Sequence, residues 1–242
     1  MPDSPDYSKY SLQGQRFSVQ DTGESAVRMG AIQRVYRSGT VIFWDDFRYG
    51  LSSHVMYQSQ PPATVNLVCG RTMFAGYNAR LSDTSLTGKN VVWGNSISGI
   101  NTNRIGFEFA FANQSGENVS LFQFDIVKTI DGQVYKASLR INKTTSHLEV
   151  LQSGSVWKDV AYLGDDLSSI NYPFIIKVIL DFDKLKFVSV ALNDVLYDLS
   201  SFSIPTGNFY VNSEIGYDFS FTGDSSGFST IDILYINVTV DE

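Results

Sequence analysis

The stretch SLFQFDIVKTIDGQVYKASLRINKTTSHLEVLQSGSVW, residues 120–157, decides the fold. Phe122, Phe124, Ile126 and Ile130 alternate with Gln123, Asp125 and Thr129, which gives a strand one apolar and one polar face. Asp131-Gly132 then supplies the positive φ that a tight hairpin needs. The return run sets Tyr135, Ala137, Leu139 and Ile141 against Lys136, Ser138 and Arg140. A turn over Asn142 to Thr145 leads to Leu148 and Val150, and Ser153-Gly154 leads to a short strand at Val156-Trp157. This pattern predicts an antiparallel meander.

Working outward, residues 174–198 repeat the grammar. Phe174, Ile176, Val178, Leu180 and Phe182 share a face, the chain reverses near Asp183-Lys184, and Leu185, Phe187 and Ser189 return. Asn193-Asp194 turns the chain again before Leu196-Tyr197. Further strands are expected at 41–47, 64–80, 104–112, 208–221 and 227–240. Many short strands with regular turn signals predict an all-β sandwich or barrel. There is no 20–50-residue repeat for a propeller or solenoid, and no strand–helix alternation for a parallel sheet. The Gly-, Asn- and Ser-rich stretch KNVVWGNSISGINTN at 89–103 is expected to be mostly loop. Residues 1–40 are polar, begin with Pro2 and Pro5, and show only a faint helical spacing of Ala26, Met29, Ile32 and Tyr36. They read as an N-terminal arm, followed by one sandwich domain over 41–242.

Composition narrows the partners. Aromatic residues make up 14% and charged residues 18%, a balance that suits half-buried pleated surfaces. A net charge of −7 and a pI near 4.8 argue against nucleic acid and against an anionic membrane surface. The single cysteine, Cys69, permits no intrachain disulfide and is expected to act as a small buried hydrophobe. No run approaches the ~20 apolar residues of a membrane helix, so membrane insertion is not expected. The first residues, MPDSPDYSKYSLQGQRF, show no secretory signal as written, which leaves open the cytosol, a virion surface, and an extracellular location reached by another route or through a signal since removed.

Three segments together resemble the concanavalin A-like lectin/glucanase superfamily, laminin G-like modules included. They are VIFWDDF at 41–47, FIIKVILDFDKLKFVSVALNDVLYDL at 174–199 and STIDILYINVTVDE at 229–242. The resemblance implies an all-β, two-sheet antiparallel jelly-roll sandwich. Its opening strand would run beside its closing strand, and one sheet would present a concave polar face.

Catalytic signatures are sparse. Glucanases of this superfamily carry two glutamates and an aspartate alternating on one strand, and no E-x-D-x-E run exists here. The nearest candidates, Glu108 and Asp125, each stand alone on a strand, expected on a polar sheet face with Gln123, Lys136 and Arg140. A solvated, salt-bridged face accounts for them equally well. His54 and His147 offer no triad or metal spacing, and there is no G-x-S-x-G, P-loop or H-E-x-x-H. An enzyme is therefore not expected, with an atypical glycoside hydrolase or lyase as the remaining catalytic reading.

Two binding chemistries stay open. Asp45 and Asp46 on the opening strand and Asp232 on the closing one would converge if those strands pair, and such carboxylates suit a structural calcium. The alternative is that Asp46 caps a turn and Asp232 faces water. A sugar needs an aromatic platform beside planar hydrogen-bonding groups, because its ring has a C–H face and a rim of hydroxyls. Trp93 with Tyr77, Arg80, Asn95 and Asn101 is the leading set, with Arg71, Trp44, Trp157 and Tyr217 as further candidates. The sequons at Asn113, Asn118, Asn142 and Asn237 compare with about two or three expected by chance and establish nothing about secretion. Two functions follow. One is a non-catalytic lectin-like module that binds a carbohydrate or serves surface adhesion. The other is a structural protein, such as a virion decoration or fibre-associated protein, that docks on a protein partner or a second copy through residues 1–40.

Overall fold

A strand that alternates apolar and polar residues has one face to bury, and two such sheets bury theirs against each other. The computed structural model describes residues 40–47, 50–51, 55–59, 64–69, 77–83, 90–98, 102–113, 119–163, 174–193, 195–206, 215–223 and 229–240. Residues 1–39 of the expected N-terminal arm, His54, Arg71, Asn101, Asn118 and the side chains of Cys69 and Asn113 lie outside them. The strands are β1 (Thr40–Asp45), β2 (Val55–Ser59), β3 (Thr64–Cys69), β4 (Tyr77–Asp83), β5 (Asn90–Ile97), β6 (Arg104–Asn113), β7 (Val119–Ile130) and β8 (Gln133–Asn142). They continue as β9 (His147–Gln152), β10 (Val156–Tyr162), β11 (Phe174–Asp181), β12 (Lys186–Leu192), β13 (Val195–Asp198), β14 (Ile215–Gly223) and β15 (Ser229–Val240). No helix occurs among the described residues.

The strands form two antiparallel sheets. One has eight strands in the order β13-β12-β11-β6-β15-β4-β3, with β1 also pairing β15. The other has seven, in the order β10-β9-β8-β7-β14-β5-β2. The opening strand does run beside the closing one, with Val41 opposite Thr239 and Trp44 opposite Asn237. Both predicted meanders form, and their reversals carry the positive φ angles their turns require, 50° at Asp131 and 77° at Gly132.

Phenylalanines join the sheets. Phe107, Phe109 and Phe111 of β6 point inward, where Phe107 and Phe109 meet Phe124 at 4.7 and 4.6 Å between ring centroids and Phe111 meets Phe122 at 4.5 Å. Phe219 of β14 closes on Phe109 at 4.9 Å. All are at most 4% exposed, so the core runs unbroken between the sheets. Residues that alternate with them must lie on the two outer faces.

Two sequence expectations change. Asn90–Ile97 is a strand inside the seven-stranded sheet rather than loop, because β14 pairs along its whole length. The expected strand 64–80 divides into β3 and β4, which pair with each other from Thr64↔Ser82 to Cys69↔Tyr77.

Candidate functional site

The outer face of the seven-stranded sheet gathers most of the chemistry. Because Phe122 and Phe124 face the core, β7 turns Gln123 and Asp125 outward, and β8 likewise presents Lys136, Ser138 and Arg140. Register aligns them in rows across the sheet. One row runs Ser138–Asp125–Asp218–Gly94 over β8, β7, β14 and β5. The next runs Gln123–Arg140–Glu149–Asp159 over β7, β8, β9 and β10.

Side chains of neighbouring rows hold one another. Lys136 Nζ lies 2.5 Å from Asp125 Oδ2, and Gln123 Nε2 donates to both Asp125 oxygens at 3.0 and 2.9 Å. Arg140 Nε pairs with Glu149 Oε2, whose other oxygen accepts from Asn142 Nδ2 at 3.1 Å. The Arg140 guanidinium sits over the half-buried Trp157 ring, 4.1 Å from its centroid. Further along the edge, His147 meets the Tyr162 ring at 5.5 Å and lies 3.8 Å from Asp159.

Asp125 and Asp218 are 2% and 5% exposed and directly opposed. Burial, then the neighbouring Asp125 charge and hydrogen bond, push the Asp218 carboxyl up to about 8 against the pull of Lys136. At neutral pH the Asp218 carboxyl therefore keeps its proton beside the Asp125 charge, as like charges in contact cannot both ionise cheaply. Ser138, on the other side of Asp125, is fully buried, and its Oγ has no hydrogen-bond partner.

The predicted polar face is only partly one face. Gln123, Asp125, Lys136 and Arg140 do share it, but Glu108 belongs to β6 in the other sheet. It points outward there, opposite Lys177, and its Oε1 accepts from Tyr235 Oη at 2.8 Å. Burial and the Glu108 carboxylate hold the Tyr235 hydroxyl well above its ordinary range. Packed sheets lie about 10 Å apart and these side chains point away from each other, so Glu108 and Asp125 cannot flank one bond. Nor is the Glu108 face solvated, since Glu108, Lys177 and Asn237 are 2, 4 and 5% exposed.

The leading glycan set is not assembled either. Trp93 is 2% exposed and packed against Phe47 and Phe219, so its ring face is spent in the core. Asn95 stands opposite the buried Tyr217, and its Oδ1 accepts from Ser96 N at 2.7 Å. Tyr77, 38% exposed, and Arg80 lie on β4 in the eight-stranded sheet, away from both. The calcium triad also separates. Asp45 is opposite Ile236, four residues along β15 from Asp232, and its Oδ1 accepts from Phe47 N at 2.7 Å. Asp232 is paired with Arg80 through both carboxylate oxygens. Among the described residues no group of three or more His, Cys, Asp or Glu side chains could hold a metal ion.

Sequence reasoning passed over Asp218, Glu149 and Ser138 as site residues. The signal for the first was present: Tyr217, Phe219 and Phe221 alternate with Gly216, Asp218 and Ser220.

No protein-family model matches the chain, and a search of curated proteins finds no match. Solved structures do match in shape. A sialidase superposes with a TM-score of 0.53 at 12% identity over 84% of this chain, which spans only 19% of that protein. The cellulose-induced protein Cip1 gives 0.53 at 13% identity, covering 82% of this chain and 97% of the other. A β-glucanase of Bacillus licheniformis gives 0.51 at 12% identity, covering 84% and 99%. At such identities the likeness is one of fold: the chain shares a two-sheet antiparallel jelly-roll sandwich with these proteins.

Proposed function

We propose that this protein is a non-catalytic carbohydrate-binding module that uses the outer face of its seven-stranded sheet. The observation that carries the reading is the Trp157–Arg140–Glu149–Asn142 cluster at one end of that face. An indole ring stands there with a guanidinium stacked over one face, and that guanidinium pairs with a carboxylate that also accepts from an amide. That is the pairing of apolar platform and directional hydrogen-bonding groups that a sugar ring requires. The fold neighbours named as a cellulose-induced protein and a β-glucanase lend support of a general kind.

The non-catalytic part rests on carboxylate geometry. Asp125 and Asp218 are in contact and partly neutralised by Lys136, which leaves no room for a glycosidic bond between them. Glycosidase pairs stand about 5–9.5 Å apart with the substrate in between. The test is a glycan array probed with the full chain and with Trp157→Ala. Retention by the parent and its loss in the variant is the expected result. Absence of retention on every glycan, or release of reducing ends from any of them, overturns the reading.

A further inference from the structure

We propose that Tyr162 is a second sugar platform on the outer face of the seven-stranded sheet, and that the ligand is a linear chain of neutral sugars lying along β10. This rests on the carbohydrate-binding reading above and names the ligand class of the same face.

A bulge places Tyr162. β10 is the last strand of its sheet and alternates regularly from Val156 to Asp159, with Trp157 and Asp159 on the outer face opposite Leu151 and Glu149. Continued alternation would turn residue 162 to the core side. Instead the register shifts between Asp159 and Ala161, and Val160 and Ala161 both pack against the core. Tyr162 thereby returns to the outer face, opposite His147. A bulge leaves one residue out of the ladder, and beside a site its usual effect is to re-aim a side chain. The end of the strand is then held, because Leu163 N donates to the Ser146 carbonyl at 2.8 Å.

The bulge aims an open aromatic ring outward among polar groups. Tyr162 is 60% exposed, more than any other large hydrophobic side chain among the described residues. Its ring is braced by the His147 imidazole, 5.5 Å away between centroids and tilted by 69°. His147 Nδ1 lies 3.8 Å from Asp159 Oδ2, and the Asp159 side chain is 65% exposed. An apolar ring thus stands in solvent beside an imidazole and a carboxylate, two planar groups able to hydrogen-bond a sugar's hydroxyls.

The spacing of the two platforms selects the ligand. Trp157 and Tyr162 stand opposite Leu151 and His147, so about 13 Å separates them along the strand. One sugar ring cannot touch both, and a chain of sugars laid along β10 can. Between the platforms the outer face carries Asp159, Glu149 and Arg140. Arg140 and Glu149 pair with each other, which leaves the strip the solvent-exposed carboxylate of Asp159. A chain of uronates would meet that charge with its own, whereas the hydroxyls of a neutral chain can donate to it. Once one platform is filled the second contact forms within the same complex, so a chain binds more tightly than its shorter pieces.

The test is calorimetric titration of the full chain with cellobiose and cellohexaose, with mannobiose and mannohexaose, and with an oligogalacturonate of the same length. In the neutral series that binds, the hexaose is expected to bind about tenfold more tightly than the disaccharide. Tyr162→Ala is expected to lower hexaose affinity about tenfold and to leave disaccharide affinity unchanged, while Tyr162→Phe keeps both. Trp157→Ala is expected to weaken both sugars. Because Tyr162 stands mostly in solvent, its variants are expected to melt with the parent. Equal hexaose affinity in the parent and Tyr162→Ala overturns the second platform and leaves sugar binding at Trp157 standing. Equal affinity for disaccharide and hexaose overturns the chain. Binding of the oligogalacturonate alone overturns the neutral class, and binding of none of these sugars overturns the proposal together with the reading beneath it.

Discussion

Arg80 grips Asp232 with two nitrogens, Nε on Oδ1 and the terminal nitrogen on Oδ2, each at 2.7 Å. The residues are 152 positions apart and meet because β4 pairs β15 with these two directly opposite. Asp232 is 5% exposed at its side chain and Arg80 20%, so the pair is largely withdrawn from water.

Asp232→Ala is expected to lower unfolding free energy by about 3 kcal/mol, because it breaks a two-point ion pair whose carboxylate is almost wholly withdrawn from water. Replacing both, Arg80→Met with Asp232→Leu, is expected to recover most of that loss, since a packed apolar pair avoids the desolvation cost. Urea unfolding of the three variants measures both. A chelator added to the parent is expected to leave the melt unchanged, because Asp232 is committed to a cation the chain already supplies.

Trp93 and its neighbour test the reassignment of residues 90–97. Trp93→Ala is expected to cost about 3–5 kcal/mol, the range for emptying a large buried aromatic, and to lower glycan retention only as far as it unfolds the chain. Gly94→Ala is expected to be at least as damaging, because the new Cβ meets the Tyr217 carbonyl at 1.9 Å and the Asp218 Cα at 2.8 Å. Both are backbone atoms with no rotamer to move. Hydrogen exchange along β14 distinguishes the two: Gly94→Ala opens the β5–β14 ladder first, while Trp93→Ala loosens the core as a whole.

The fold was legible where alternation was uninterrupted. Residues 120–157 and 174–198 show it, and β7 to β13 form there. It was illegible where a strand carries glycine and polar residues for reasons of packing. NVVWGNSI lost its period because Gly94 must let β14 approach and because Asn95 takes a core-facing position opposite Tyr217. Lys128 misleads in the opposite direction. It stands on the apolar face of β7, 4% exposed, with Nζ donating to the Thr102 carbonyl at 2.5 Å and lying over the Phe182 ring. The site was half legible for a related reason. Alternation says which face of its strand a residue takes, and it put Glu108 and Asp125 correctly on polar faces. Which sheet a strand joins depends on pairing between segments far apart in the chain, and that separated Glu108 from Asp125 and joined Asp218 to it.

Asp218 gives the chain a pH dependence opposite to that of most carboxylates. Its carboxyl rises from an ordinary 3.8 to about 8 in the folded state. Between those values the folded chain keeps a proton that the unfolded chain has released, so stability falls as pH rises. The contribution is whole below the unfolded value and is lost by the time pH has passed the folded one, above which it changes no further. Asp218→Asn keeps an uncharged group of the same shape, with an amide able to donate to Asp125, and cannot titrate. The variant is therefore expected to melt above the parent by a margin that widens from about pH 5 to about pH 8 and then stays constant. Thermal unfolding in matched buffers measures that margin. Parallel melting curves across the range would mean that Asp218 ionises in the folded chain as freely as in water.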